Sequence, residues 1–259
     1  MASALIGGML QRGFKPGELR AIDVMQPARQ RLEQRFGVHA SAVLSSEIAE
    51  DVVLLAVKPQ QMREMATELR AYLRGQLVIS IAAGIRTYDL ARWLGGHDRI
   101  VRAMPNMPAL IGSGVSGLFA AANVGQADRD CAQDILGAVG GVVWVADEPA
   151  IDAVTAVSGS GPAYVFYFIE ALEQAALELG LNETQAHELA VQTFAGAARL
   201  ADGSDDPAAV LRARVTSKAG TTEAALRSME TNQVKSKIVE AVHAAARRSS
   251  QLGDDFGKP

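Results

Sequence analysis

One cysteine, Cys131, in 259 residues leaves no partner for an internal disulfide and no multi-cysteine metal site, as expected of a chain kept in a reducing cytoplasm. The histidines His39, His97, His187 and His243 are widely separated and show no His-x-x-x-His spacing, so no metal is expected. An excess of positive charge is also missing. With 25 basic and 29 acidic residues the net charge is −4, which argues against nucleic acid or an anionic membrane surface as partner. Apolar runs such as residues 52–57 and 77–83 fall far short of the roughly 20 residues a spanning helix needs. No basic-then-apolar leader is expected either. A serine nucleophile on a Gly-x-Ser-x-Gly elbow is excluded at the Ser/Gly-rich stretch, because Ser158 stands where that motif requires glycine before Ser160.

What is present is the composition of a soluble globular protein, 49% hydrophobic and 21% charged, long enough for one or two domains with proper cores. The chain changes character at Ser158-Gly159-Ser160-Gly161-Pro162. Before it, short Val/Ile-rich runs alternate with helical patterns; after it the pattern is helical to the end. The spacing predicts helices over 1–11, 27–35 and 60–73, and strands over 19–24, 52–57, 77–81, 100–103 and 142–145. Thr87 is expected to cap a further helix that stops at Gly95-Gly96. The unbroken apolar run at 52–57 predicts a strand buried on both faces. Strand, helix and strand at this spacing predict an α/β, Rossmann-like doubly wound domain over residues 1–148, followed by an all-α domain over residues 149–259.

In such sheets ligands bind beyond the carboxyl ends of the strands. Three segments leave strands through turn chemistry: Ala56-Val57-Lys58-Pro59, Ala82-Ala83-Gly84, and the run from Met104 to Pro108 through Asn106. Each alone is an ordinary turn; three on one sheet edge point to a nucleotide. The opening strand and its Gly-x-Gly-x-x-Gly turn are missing, and Gly7-Gly8 is no substitute, since no strand precedes it. That strand is normally central. A gap between its two neighbours is expected, as for a fragment or a reading frame begun at an internal Met.

In the helical half, helices are expected over 162–179, from the Asn182–Gln185 capping-box pattern to Gly203, over 206–215, over 223–230 and over 233–251. Between the third and fourth lies Thr216-Ser217-Lys218-Ala219-Gly220-Thr221-Thr222. Hydroxyls beside free N–H groups at a helix start make it a candidate carboxylate site, against the plainer reading of a helix cap.

These residues resemble the pyrroline-5-carboxylate reductase family over essentially the whole chain. The resemblance is carried by Ala56-Val57-Lys58-Pro59, by Ser80-Ile81-Ala82-Ala83-Gly84, by the 102–108 run, by Asp152 to Tyr164, and by Val215 to Thr222. It implies hydride transfer from NADP(H), with NAD(H) as the alternative, to the C=N carbon of pyrroline-5-carboxylate, giving L-proline. It further implies a homodimer built from the helical half, with assembly to decamers. Carried over by position, Met1, Gln26, Ala56, Val57, Lys58, Pro59, Ala82, Ala83, Gly84 and Asn106 line the cofactor site. Ser217, Gly220, Thr221 and Thr222 grip the substrate carboxylate, and Glu148 approaches the ring nitrogen, so that Thr222 and Glu148 are the expected catalytic residues. The sequence departs from the family pattern at Lys218 and Ala219, which replace proline and glycine, and at Met107, where threonine is usual. A left-handed backbone at Ala219 would carry roughly 1 kcal/mol of strain. Two competing readings stand beside this one. A hydroxy-acid dehydrogenase of similar build is disfavoured by the absence of lysine over 162–200. A non-catalytic, truncated dimeric protein on a damaged nucleotide fold is the other.

Overall fold

The computed structural model describes residues 1–44 and 50–258. The chain divides into two compact units, Met1–Ser160 together with the stretch from Ala245 onward, and Gly161–Ala244.

The first unit opens with α1 (Ala2–Gln11), which buries Leu5 and Met9. A Cβ on Gly8 would lie 2.5 Å from the Ala138 carbonyl oxygen, so the glycine there serves close packing. Next come β1 (Arg20–Ile22), α2 (Gln26–Phe36) and β2 (His39–Ser41). Helix α2 ends where the notional stop signal stands, at Gly37, in left-handed conformation with φ of 67°. β1 and β2 pair in parallel as a separate two-stranded sheet.

The main sheet contains β3 (Val52–Leu55), β4 (Leu77–Ser80), β5 (Ile100–Pro105), β6 (Gly114–Ala120) and β7 (Gly140–Trp144), in the order β3-β4-β5-β6-β7. All pairs are parallel except β5 with β6. Between them run α3 (Pro59–Leu69), α4 (Thr87–Trp93) and α5 (Gln126–Gly137); α6 (Ala150–Val154) follows β7. Alternate residues of one strand point to opposite faces. Leu77 and Ile79 accordingly join a core with α1 and α5, while Val78 between them joins a second core with α3 and α4. The sheet is covered on both faces, as a doubly wound fold requires.

Several expectations need correction. Strand β6, which contains Gly114 and Gly117, was not foreseen. They are packing residues: a Cβ on Gly117 would lie 2.4 Å from a Val154 methyl, and one on Gly114 2.8 Å from the Ala109 backbone. The 52–57 run packs on both faces, Val52 and Leu54 against one core and Val53, Leu55 and Val57 against the other, but it is not fully buried. Only Leu55 of β3 is buried, because β3 pairs with β4 alone and is an edge of its sheet. Helix α3 stops at Leu69, short of the expected 73. Thr87 is not the N-cap of α4 but its first residue; Arg86 holds the cap position, and the Thr87 hydroxyl points elsewhere.

The second unit contains α7 (Gly161–Glu178), α8 (Glu183–Asp202), α9 (Ala208–Arg214) and α10 (Thr221–Thr231). Helix α11 (Val234–Gly257) begins in this unit and supplies the first unit's closing stretch from Ala245. The capping box is formed as expected: the Asn182 side chain accepts from Gln185 N–H at 2.9 Å, and Asn182 N–H donates back to Gln185 Oε1 at 3.1 Å. α7 and α8 pack together with the Phe168 and Phe194 rings 6.4 Å apart. Among the described apolar residues of this unit only Ala186 and Ala190 are buried, while Leu179, Leu189, Leu200 and Val215 are all more than half exposed. The last helix runs six residues beyond the expected 251, through Gly253 and Gly257.

Candidate functional site

The sheet register decides which turns share an edge. Leu55 aligns with Ser80, and Ser80 with Arg102, so β3 and β4 end side by side while β5 runs three residues further, to Pro105. Ile81 N–H also donates to the Leu55 carbonyl at 3.1 Å. The turns that follow, with Ala56 to Pro59 in the first and Ala82 to Gly84 in the second, therefore leave the same edge. Ala56 and Lys58 are exposed there; Lys58 caps α3 and Pro59 opens it, a position where its missing N–H costs nothing. Val57 is half-buried against the core of α3 and α4. Ala82 is buried, Ala83 half-buried, and Gly84 takes φ of 73°. An edge of open backbone with one cation at a helix start suits a dinucleotide.

Asn106 closes the third turn, and it is a bracket. Its Oδ1 accepts from Val115 N–H at 2.9 Å, and its Nδ2 donates to the Ser158 carbonyl at 3.2 Å. It thereby ties the end of β5 both to β6 and to a single wide turn, Thr155–Gly159, closed by Ser160 N–H on the Thr155 carbonyl at 2.8 Å. Such π-type turns often mark functional sites. A Cβ on Gly159 would lie 2.7 Å from the Met104 methyl, so the Ser/Gly stretch passes close over the end of β5.

Met1 caps α1, with its carbonyl accepting from Ala4 and Leu5 N–H, and α1 packs against the 3-10 turn Met107–Ile111 that follows Asn106. Gln26 is carried by the separate two-stranded sheet as the exposed first residue of α2. Just before it, Asp23 Oδ1 accepts from Met25 N–H at 2.8 Å. Arg29 donates to the Asp23 and Val24 carbonyls at 2.7 and 3.0 Å, which puts a guanidinium at the end of β1.

Glu148 is committed on both oxygens. Thr87 N–H donates to Oε1 and the Thr87 hydroxyl to Oε2, each at 2.7 Å, and Arg102 Nη1 donates to Oε1 at 3.1 Å. Arg102 is 3% exposed and lies 3.8 Å from Asp152, whose Oδ1 accepts from the Ser249 hydroxyl at 2.7 Å. Sequence reasoning had not singled out Thr87, Arg102, Asp152 or Ser249 as a group. A usable signal was Arg102 itself: an arginine inside an apolar strand must find a carboxylate.

The 217–222 turn belongs to the second unit. Gly220 is the N-cap of α10, with its N–H on the Ser217 carbonyl at 3.1 Å. A Cβ there would sit 2.4 Å from Ser217 Oγ, so a larger residue would require the serine hydroxyl to turn away. Thr221 and Thr222 are the first residues of α10, and first-turn N–H groups have no acceptor within their own helix. Ser217 and Thr221 are exposed and Thr222 half-buried. Ala219 does adopt the left-handed conformation, with φ of 59°, and its N–H donates to Glu223 Oε2 at 2.7 Å.

Comparison with known proteins agrees with both halves. Residues 148–252 match the family described as pyrroline-5-carboxylate reductase dimerisation, and residues 1–84 that described as NADP oxidoreductase, coenzyme F420-dependent. A pyrroline-5-carboxylate reductase of Pseudomonas aeruginosa is 43% identical over 260 residues, covering 100% of this chain and 95% of that protein. The solved pyrroline-5-carboxylate reductase from Coxiella burnetii superposes with a TM-score of 0.91 at 37% identity, over 97% of this chain and 94% of that one. The Plasmodium falciparum pyrroline carboxylate reductase, solved with NADP bound, gives 0.84 at 30% identity, again over 97% and 94%. With relatives this similar over nearly their whole length, the chain belongs to the pyrroline-5-carboxylate reductase family.

Proposed function

We propose that this protein reduces 1-pyrroline-5-carboxylate to L-proline with NADPH, as a cytoplasmic homodimer that assembles further to decamers. The observation that carries this reading is the full-length match to reductases of that name. The adjacent turns after β3 and β4 and the hydroxyl-bearing turn before α10 support it. Under this reading residues 1–148 form the dinucleotide-binding domain and residues 149–259 the dimerisation and substrate domain. The apolar side chains left exposed on the helices of the second unit favour a dimer, since patches of this kind mark protein interfaces.

Met1, Gln26, the 56–59 and 82–84 turns and Asn106 are assigned to the dinucleotide, with Arg29 available to a 2′-phosphate. Ser217, Gly220, Thr221 and Thr222 are assigned to the substrate carboxylate, held by backbone N–H groups and hydroxyls without a full positive charge. Bound NADPH would supply the hydride, and the proton on the ring nitrogen would come from solvent. Thr222 holds that nitrogen or donates to it. Glu148 has its oxygens engaged by Thr87 and Arg102, and the group of Glu148, Asp152 and Arg102, two carboxylates to one guanidinium, keeps a net negative charge that favours the iminium form. Orientation of a reactive cyclic imine supplies much of the rate, so no covalent nucleophile is needed.

The test is dinucleotide oxidation in the presence of pyrroline-5-carboxylate, with L-proline identified as product. NADPH is expected to outperform NADH, and Thr222→Ala to lower kcat about 10²-fold. No turnover with either dinucleotide would sink the assignment.

A further inference from the structure

We propose that the end of α11, from Ser249 to Gly257, clamps the backbone of the 82–84 turn and makes Phe256 a positioning residue for dinucleotide binding. This rests on the reading of that turn as part of the dinucleotide site. Gly84 has φ of 73° and is covered on its Cα side by α11: a Cβ there would lie 3.1 Å from the Phe256 ring and 3.2 Å from Leu252 Cβ. The Phe256 ring also packs on the core that contains Ala82, Ile85 and Leu90.

The helix comes this close because its facing residues are small. A Cβ on Gly253 would lie 2.9 Å from Arg86 Nε, and one on Gly257 2.6 Å from Asp89 Oδ2. These glycines, four residues apart, let the helix backbone lie on the 86–89 segment. Polar contacts then hold it. Arg86 pairs with Asp254 at 2.8 Å and donates to the Ser250 carbonyl at 3.3 Å. Arg92 donates to the Gly257 carbonyl at 2.8 Å, a cation on a helix C-terminus. Buried Ser249 anchors the other end through its hydroxyl on Asp152, 2.7 Å away.

A glycine has other backbone wells open to it. With the Phe256 ring removed, the turn is free to leave its binding geometry, and apparent affinity falls by the fraction of molecules that remain competent.

The experiment compares full-length Phe256→Ala, Phe256→Leu and Gly84→Ala with the parent protein. It measures NADPH affinity directly by fluorescence titration, KM for each substrate, and oligomeric state. Phe256→Ala is expected to weaken NADPH binding about tenfold, with KM for pyrroline-5-carboxylate within twofold of the parent and assembly unchanged. Phe256→Leu, which keeps bulk but loses the flat ring, should weaken it about threefold. Parental NADPH affinity in folded Phe256→Ala overturns the proposal, and so does an equal loss for both substrates. If the alanine variant does not fold, parental NADPH affinity in Phe256→Leu overturns it instead. Gly84→Ala separates the two levels. If it too leaves NADPH binding intact, the turn is not part of the dinucleotide site; if it weakens binding while both Phe256 variants do not, only the clamp is wrong.

Discussion

At the scale of single residues, the 217–222 turn balances a strain against a bond. A left-handed alanine costs roughly 1 kcal/mol, and Ala219 adopts that conformation. The Glu223 carboxylate accepts the Ala219 N–H at 2.7 Å and so holds the backbone where the strain lies. Loss of a side-chain acceptor at a helix start costs about 1 kcal/mol. Glu223→Ala should therefore loosen the turn and raise KM for pyrroline-5-carboxylate several-fold, leaving KM for NADPH unchanged. Adding Ala219→Gly in that background removes the strain and should recover most of the loss. Steady-state kinetics on the single and double variants check this; a double variant no better than Glu223→Ala would show that strain at 219 is not what Glu223 offsets.

At the scale of elements, the group around Glu148 joins segments far apart in the chain. It holds the first residue of α4 through both N–H and hydroxyl of Thr87, and it neutralises Arg102 in the middle of β5. Arg102 is 3% exposed, with Asp152 3.8 Å away as its other carboxylate. Removing one partner of a buried pair typically costs 3–5 kcal/mol, because an uncompensated charge stays behind (roughly that range across proteins). Glu148→Ala should lie in that range in denaturant unfolding. Glu148→Gln retains an acceptor for Thr87 and should cost less. A fully stable Glu148→Ala would mean that Asp152 alone satisfies the arginine.

At the scale of the whole molecule, stability should respond to acid through Asp128. Arg99, just before β5, donates to both oxygens of this first-turn residue of α5, at 2.8 and 2.6 Å. The hydrogen bonds from Arg99 hold the Asp128 carboxyl below its ordinary range, against the opposing effect of burial. A depressed carboxylate pKa stabilises the fold above the unfolded value, near 3.9 (approximately the aspartate reference), and that contribution is lost as pH falls through the lower folded value. Arg99 is 43% exposed, so solvent and salt weaken the pair. Asp128→Asn should melt a few degrees below the parent at neutral pH, and the gap should close as pH falls below the ordinary aspartate range. Melting curves across that range check the sign; a gap that persists in acid would assign the loss to packing.

Much of this molecule was legible from local rules. Gly37 and Gly180 end helices, Asn182 and Gln185 box the start of α8, and Ala219 takes the left-handed backbone, all decided by free energies acting within about four residues. The strand-and-turn rhythm of β3, β4 and β5 was legible for the same reason, and with it the candidate edge. What the sequence left open depends on neighbours distant in the chain. Glycines 114, 117, 253 and 257 lie inside a strand and a helix, where another element presses against each one. The run at 52–57 predicted a strand buried on both faces, but how fully a strand is covered depends on its place in the sheet, and β3 lies at an edge. Glu148 finds Thr87 and Arg102 across 61 and 46 residues, and Arg86 finds the Ser250 carbonyl across 164. Local pattern determined which segments are helix, strand and turn. Only the tertiary structure decided which of them meet, because those contacts form after long loops have closed, and no short window of sequence specifies them.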